Sequence, residues 1–434
     1  MTTLVTTAAS SLRKSISLGA MRALVRLVCG FASVKLTAVY LGPSGLALIA
    51  QFNNFMALCQ SVVVTGLETA GARLTAEYID DRPRRSALLH TLGKLALGLG
   101  LPTAFLVAVC SPWLAEWLLN DAGYAWVFVL GALAILASIV NSLLIAVISA
   151  QTDYVRAITS NIAGTVLGLV IFAPAAMRWG IPGGLAAASV VYLGSLGITL
   201  WLLRQSDSVK LSHFVGLFDR AEAKRIAAFY PMLLVHAVMA PLSIILIRQH
   251  VSSMLSLESA GIWQAGWRLS ETYLMIIMTT VTTQFMVRLG RTANHPAQLQ
   301  AEVLRTLAVS VGGTAAIAAC VYLLREWIVR ILFSSAFSPV VDLIPMQLVG
   351  DILKMVGWTL GFVLVSTVRS RWYVVIEIVV PLVFIVAARI LGARMGVSGV
   401  PVAYAISGVF HAVLSIVALR DVLFLRRVPH ENIS

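Results

Sequence analysis

An all-α polytopic membrane protein with about twelve transmembrane helices is the fold class this sequence predicts, and three observations predict it. The 434 residues are 59% hydrophobic and only 12% charged, too few charges to coat a water-soluble chain of this length. Apolar runs recur roughly every 36 residues, each about 20 long, the length a helix needs to cross some 30 Å of hydrocarbon. The runs are continuous stretches of Leu, Val, Ile, Ala and Gly without the alternation of a β-barrel strand, and in lipid only helices and closed barrels satisfy their own backbone.

The elements follow in order, divided by polar or Gly/Pro punctuation. The first run, near 15 to 40, contains Arg22, Arg26 and Lys35 and is followed by no small-residue cleavage site. It is therefore expected to remain in the mature protein rather than serve as a signal peptide. Further helices are predicted near 46 to 70, 86 to 110, 124 to 149, 157 to 177 and 182 to 203. After the longest polar connection come six more, near 226 to 248, 261 to 287, 303 to 324, 346 to 368, 371 to 391 and 399 to 424. Residues 1–205 thus read as an N-terminal six-helix lobe, 206–225 as a cytoplasmic linker and 226–434 as a C-terminal six-helix lobe. Gly45, Leu46 and Ala47 enter the second helix much as Gly261, Ile262 and Trp263 enter the eighth. With both lobes starting on the same side, this echo suggests a parallel, pseudo-symmetric repeat. Alternate connections hold about twenty and about six Lys or Arg, an asymmetry that places both termini in the cytoplasm.

The formal charge of +13 is not the signature of a nucleic-acid binder, because the basic residues are scattered singly between apolar spans. Cys29, Cys59, Cys110 and Cys320 have neither CxxC spacing nor His partners and read as packing residues. The histidines lack metal-ligand spacing, and no Walker A sequence or nucleotide fingerprint is present. The expectation is a transporter with no catalytic residues, no metal and no cofactor.

Charges inside the predicted spans are more informative. They are Arg22, Arg26, Lys35, Glu68, Lys94, Arg268, Glu271, Asp351, Lys354 and Glu377. Facing lipid near the bilayer centre, each would cost roughly 2.5 to 3.5 kcal/mol on insertion scales, so they are expected to face a wet central cavity or one another. Arg268 with Glu271, and Asp351 with Lys354, stand at i, i+3 and are spaced to pair along their helices. Glu377 stands alone in its helix, where a cross-helix partner and a proton-binding role are both open. Cations outnumber acids in this set, which suits an anionic substrate better than an organic cation.

Four stretches then carry a family resemblance: Lys35 to Phe52 (KLTAVYLGPSGLALIAQF), Ala260 to Gln264 (AGIWQ) leading to Glu271 and Tyr273, Gln347 to Lys354 (QLVGDILK), and Arg371 to Glu377 (RWYVVIE). They resemble the Wzx-type flippases of the multidrug/oligosaccharidyl-lipid/polysaccharide (MOP) exporter superfamily, particularly the branch that serves enterobacterial common antigen or O-antigen units. The resemblance implies two lobes around a central cavity and transfer of undecaprenyl-pyrophosphate-linked oligosaccharide from the cytoplasmic to the periplasmic leaflet of the bacterial inner membrane. That is a step in cell-surface polysaccharide and lipopolysaccharide biosynthesis. It maps cavity cations onto Arg26 and Lys35 and a coupling acid onto Glu271, and it matches Asp351, Lys354 and Glu377 residue for residue. Arg22, Arg268 and Glu68 have no counterpart in the pattern. The working expectation is that Arg26, Lys35, Arg248 and Lys354 bind substrate and that Glu271, Asp351 and Glu377 couple or gate. A cognate polymerase and chain-length regulator are implied partners; the alternative is an ion-coupled exporter of small organic cations.

Overall fold

In the computed structural model, residues 2–150, 154–204, 211–292 and 295–424 are described, with 2–20 by their backbone alone. The last residue of the predicted first lobe, 205, the first part of the predicted linker, 206–210, and the end of the predicted second lobe, 425–434, lie outside the described residues.

The sequence sets most helix boundaries through its turn chemistry. Helix α1 (Thr2–Tyr40) gives way to α2 (Gly42–Glu77) where Gly42 takes a left-handed φ of 66° and Pro43 enters the first turn. Glycine turns there without a Cβ clash, and proline's missing N–H falls among donors the first turn leaves free. Helix α3 (Arg82–Val109) is capped by Asp81, which accepts from the Arg84 amide at 3.1 Å. A short α4 (Ser111–Leu119) ends at left-handed Asn120 and is followed by α5 (Ala125–Ala150). Helix α6 (Tyr154–Arg204) breaks at Gly180, two residues before Pro182. Next come α7 (Arg220–Ala227), α8 (Tyr230–Met254), α9 (Leu257–Thr292), α10 (Pro296–Leu332) and α11 (Val340–Ser366). The chain ends in α12 (Ser370–Met395), α13 (Gly399–Ala418), entered through left-handed Gly396, and α14 (Arg420–Leu423).

Among the described residues, nine segments are long and apolar enough to cross a membrane. Two of them, Val155–Arg204 and Ser370–Ala418, run 50 and 49 residues, enough for two crossings each. They break at Gly180 and Gly396. Helix α9 contains Arg268 and Glu271 and is not among the nine, yet its 36 residues give it the length. Nine, one more from each long segment, and α9 make the twelve crossings that the apolar periodicity predicts. Several helices are longer than their apolar runs: the second was expected near 46 to 70 and spans Gly42–Glu77, because polar turns continue it past the hydrocarbon. The last, expected near 399 to 424, breaks at Leu419. The cysteines are free, and Cys110 and Cys320 are exposed, which corrects their reading as packing residues.

By packing, the chain divides into two compact units, Met1–Gln249 with Leu332–Ser334, and His250–Ile331 with Ser335–Ser434. The division falls inside α8. The described residues of the 206–225 connection, 211–225, belong to the first unit. Asp219 caps α7, accepting from the Ala221 and Glu222 amides at 2.7 and 3.2 Å, and its own amide donates to Thr91 of α3 at 3.0 Å. Glu222, 7% exposed, accepts from the Tyr78 hydroxyl at 3.2 Å, while Arg225 donates to that hydroxyl and pairs with Glu77 at 3.0 Å. Elsewhere in the first unit, Phe128 packs edge-on against Phe52 and Phe55, with centroids 5.4 and 5.5 Å apart. In the second unit, Phe285, Leu289, Val303, Leu360, Ile376 and Leu419 belong to one buried hydrophobic cluster.

Candidate functional site

Asp351 lies near the middle of α11 and is fully buried. An ionised carboxylate taken out of water costs several kcal/mol unless it is paired or hydrogen-bonded. Three hydroxyls meet it. Ser270 and Tyr273, both on α9, donate to Oδ2, the serine at 2.6 Å, and Tyr404 of α13 donates to Oδ1 at 3.0 Å. Ser270 and Tyr273 reach the same oxygen because i, i+3 residues share a helix face. Tyr404 reaches the other because α13 approaches α11 closely. A methyl on Gly350 would strike the Tyr404 ring, one on Gly357 the His411 ring, and one on Gly408 the Leu353 side chain.

Lys354 does not pair with Asp351, contrary to what their spacing permits. Its Nζ lies over the rings of Trp267, at 5.3 Å, and Tyr404, at 5.5 Å, where the negative face of an aromatic ring attracts a cation. Hydroxyls occupy the carboxylate while the two rings hold the ammonium away from it. Arg268 and Glu271 do pair, at 3.3 Å, about half exposed on α9. Glu271 also accepts from the Trp267 indole N–H at 2.9 Å. The rings brace one another: Trp267 packs on Trp263, Phe384 and Tyr404 at centroid distances of 5.7, 6.0 and 5.0 Å. On α12, Glu377 is half-buried and hydrogen-bonded with Tyr373, one turn away.

In the first unit, Arg248 of α8 is 2% exposed and donates through Nη1 to the side-chain Oε1 of Gln51 on α2 at 2.8 Å. Gln51 is fixed in turn by donating to the Ile245 carbonyl at 3.2 Å. With its amide oxygen turned toward the guanidinium, Asn54 accepts from Nη1 and Nη2 at 3.2 Å. Arg26 and Lys35 are exposed on α1. Nine residues is two and a half helical turns, so they leave the helix on opposite faces, about 14 Å apart along its axis. Arg22 lies close enough to Glu68 of α2 for the two charges to act on each other. Among the described residues no group of three His, Cys, Asp or Glu is placed to hold a metal ion.

Residues 36–342 match the family model described as polysaccharide biosynthesis protein. The chain belongs to the polysaccharide biosynthesis protein family. Within reach of this family membership stand two curated relatives, the lipid III flippases of Escherichia coli (strain K12) and Shigella flexneri. Each is 25% identical over 394 residues, covering 91% of this chain and 94% of the relative. Among solved structures, the inward-facing form of a multidrug resistance MATE family transporter of the MOP superfamily has a TM-score of 0.79 at 13% identity, covering 94% of this chain and 99% of that one. The lipid II flippase MurJ, in an inward closed conformation, has a TM-score of 0.73 at 14% identity, covering 92% and 87%. The structural likeness gives this polysaccharide biosynthesis protein the MOP exporter fold. The expected resemblance to oligosaccharide-lipid flippases holds over 91% of the chain.

The structure brings Glu271, Asp351 and Lys354 together around Trp267 and Tyr404. Glu377 pairs with Tyr373 about two turns from Phe384 along α12, and Arg26, Lys35 and Arg248 belong to the other packing unit. Sequence reasoning passed over Ser270, Trp267 and Tyr404. The first two carry a local signal, because Trp267 and Glu271 stand at i, i+4 and Ser270 and Tyr273 at i, i+3 on the same helix. Tyr404 carries none.

Proposed function

We propose that this protein flips a polyprenyl-pyrophosphate-linked oligosaccharide, a repeat unit of the common-antigen or O-antigen class, from the cytoplasmic to the periplasmic leaflet of the inner membrane by alternating access. The observation that carries this reading is the match to two lipid III flippases over 91% of the chain. The excess of intramembrane cations supports an anionic cargo. Two six-helix lobes, both termini in the cytoplasm and a cognate polymerase and chain-length regulator belong to the same proposal. Arg26, Lys35 and Lys354 engage the pyrophosphate and sugars. Because Arg26 and Lys35 leave α1 on opposite faces, one pyrophosphate does not bridge both, and they act at different levels of the path. Arg248, sealed against Gln51, contributes only in a conformation that uncovers it. Glu271, Asp351 and Glu377 couple or gate the return of the empty carrier. About two negative charges moving outward gain roughly 4 to 5 kcal/mol per 100 mV of inside-negative potential, so loaded transfer is the favoured step.

The experiment is translocation of a synthetic polyprenyl-pyrophosphate oligosaccharide in liposomes containing the purified protein, beside Arg26→Ala and Lys35→Ala variants, with and without an imposed potential. Transport that fails in the variants and responds to potential supports the reading. Intact transport in both variants removes the binding assignment. No transport of several such lipids, together with ion-coupled efflux of an organic cation, replaces it with the exporter reading.

A further inference from the structure

The two rings that hold Lys354 also hold two carboxylates, those of Glu271 and Asp351. Trp267 turns its face to the Lys354 ammonium at 5.3 Å and gives its indole N–H to Glu271 at 2.9 Å. Tyr404 turns its face to the same ammonium at 5.5 Å and gives its hydroxyl to Asp351 at 3.0 Å. Neither ring has room to swing, since both are buried and both pack against Phe384, Trp267 stacked at 6.0 Å and Tyr404 tilted at 5.5 Å. The ammonium therefore rests on uncharged surfaces with a carboxylate beyond each. Charge-assisted contact with a carboxylate is the stronger alternative, and the flexible lysine stem allows it. What separates Lys354 from either acid is the arrangement of the two rings.

We propose that Trp267 and Tyr404 are positioning residues that keep the Lys354 ammonium off Asp351 and Glu271 in this conformation and release it to one of them when a ring face turns away. Lysine is then a two-position charge, and the positions differ in which acid is neutralised. The role in transport rests on the flippase reading; the hold itself does not. The charged and titratable groups around it are Arg268, Glu271 and Tyr273 from α9, Asp351 from α11 and Tyr404 from α13. About two turns further along lie the Tyr373 and Glu377 pair on α12 and His411 on α13.

The test separates face from donor. Trp267→Phe and Tyr404→Phe keep a ring face and delete the donor; Trp267→Leu and Tyr404→Leu delete both. Reductive methylation of the purified protein across pH 7 to 10, followed by peptide mapping, reads the labelling of Lys354 against exposed Lys224. Without a face the ammonium moves onto a carboxylate, so the Leu variants should label Lys354 about fivefold more slowly at a given pH than the wild type. Adding Asp351→Asn to Tyr404→Leu should remove most of that slowing, and the Phe variants should stay near the wild-type rate. Equal labelling in the wild type and the Leu variants, or slowing in the Phe variants as large as in the Leu variants, overturns the proposal. Liposome translocation across the same pH range is the second readout, with the Leu variants shifting the profile and the Phe variants restoring it. Slowed labelling without any flipping by the wild type leaves the hold standing and sinks the flippase reading; flipping with unaltered labelling does the reverse.

Discussion

Arg248 on α8 gives an Nη1 hydrogen to the Gln51 carboxamide oxygen on α2 at 2.8 Å, in surroundings that leave the arginine 2% exposed. Replacing it with methionine keeps an apolar stem of similar length but leaves the Gln51 oxygen buried without that donor. An unsatisfied buried acceptor costs about 1–3 kcal/mol. Arg248→Met should therefore lower the thermal unfolding midpoint in detergent, and Arg248→Lys, which keeps one donor, should lower it less. Equal midpoints in all three proteins would mean the clamp carries no stability.

Tyr78 is the relay that docks α7 on the first unit, donating to Glu222 and accepting from Arg225. Burial, and then the Glu222 charge, push the phenol above its ordinary value, so it stays a donor through neutral pH. Tyr78→Phe should leave the buried Glu222 short of a donor at a cost of about 1–3 kcal/mol, read as faster amide exchange over residues 219–227. Arg225→Ala, at an exposed pair, should have a smaller effect. The assignment fails if exchange in Tyr78→Phe matches wild type.

Arg369 grips Asp421 with both Nη atoms and also donates to the Ala418 carbonyl at 2.6 Å, tying the start of α12 to the end of α13. The Arg369 hydrogen bond holds the Asp421 carboxyl below its usual range. A lowered folded value stabilises above the ordinary Asp value near pH 4 and loses that contribution as pH falls through the lowered one. Wild type should thus melt above Asp421→Asn at pH 5 to 8, with the gap closing below about pH 4. A gap that persists undiminished into acid would assign the difference to something other than the ion pair.

Val368, between α11 and α12, sits at φ 57° with its side chain 80% exposed. Left-handed backbone costs an L-residue roughly 1–2 kcal/mol, and a β-branched side chain is among the least suited to it. Val368→Gly removes that strain, less the extra freedom glycine gives the unfolded chain. A gain of about 0.5–1 kcal/mol in thermal stability is expected; a loss would mean the isopropyl group makes contacts that matter more than the strain.

The helices were readable because lipid forces a residue pattern about 20 long on every crossing. Turn chemistry at Gly42 and Pro43, and at Gly180 and Pro182, placed the breaks. Helix α4, SPWLAEWLL, falls between the third and fourth predicted spans, since nine residues are too few to register as a span. The packing of the 206–225 connection was hidden for a different reason: Glu222 and Tyr78 meet across many residues, and each alone reads as an ordinary polar position. The site divides along the same line. Arg268 with Glu271 paired as their local spacing allowed, whereas Asp351 and Lys354 did not, because the hydroxyls and rings that claim them arrive from α9 and α13.

The missing side chains at Gly350, Gly357 and Gly408 have a mechanical meaning. With Tyr404 and His411 lodged against two of those bare backbone positions, α11 and α13 cannot slide past each other without forcing rings into main chain. The two travel as a single plank. Spin labels placed one on each should keep a constant separation through every stage of a transport cycle, a built-in ruler against which the displacement of any other helix in the same unit is measured.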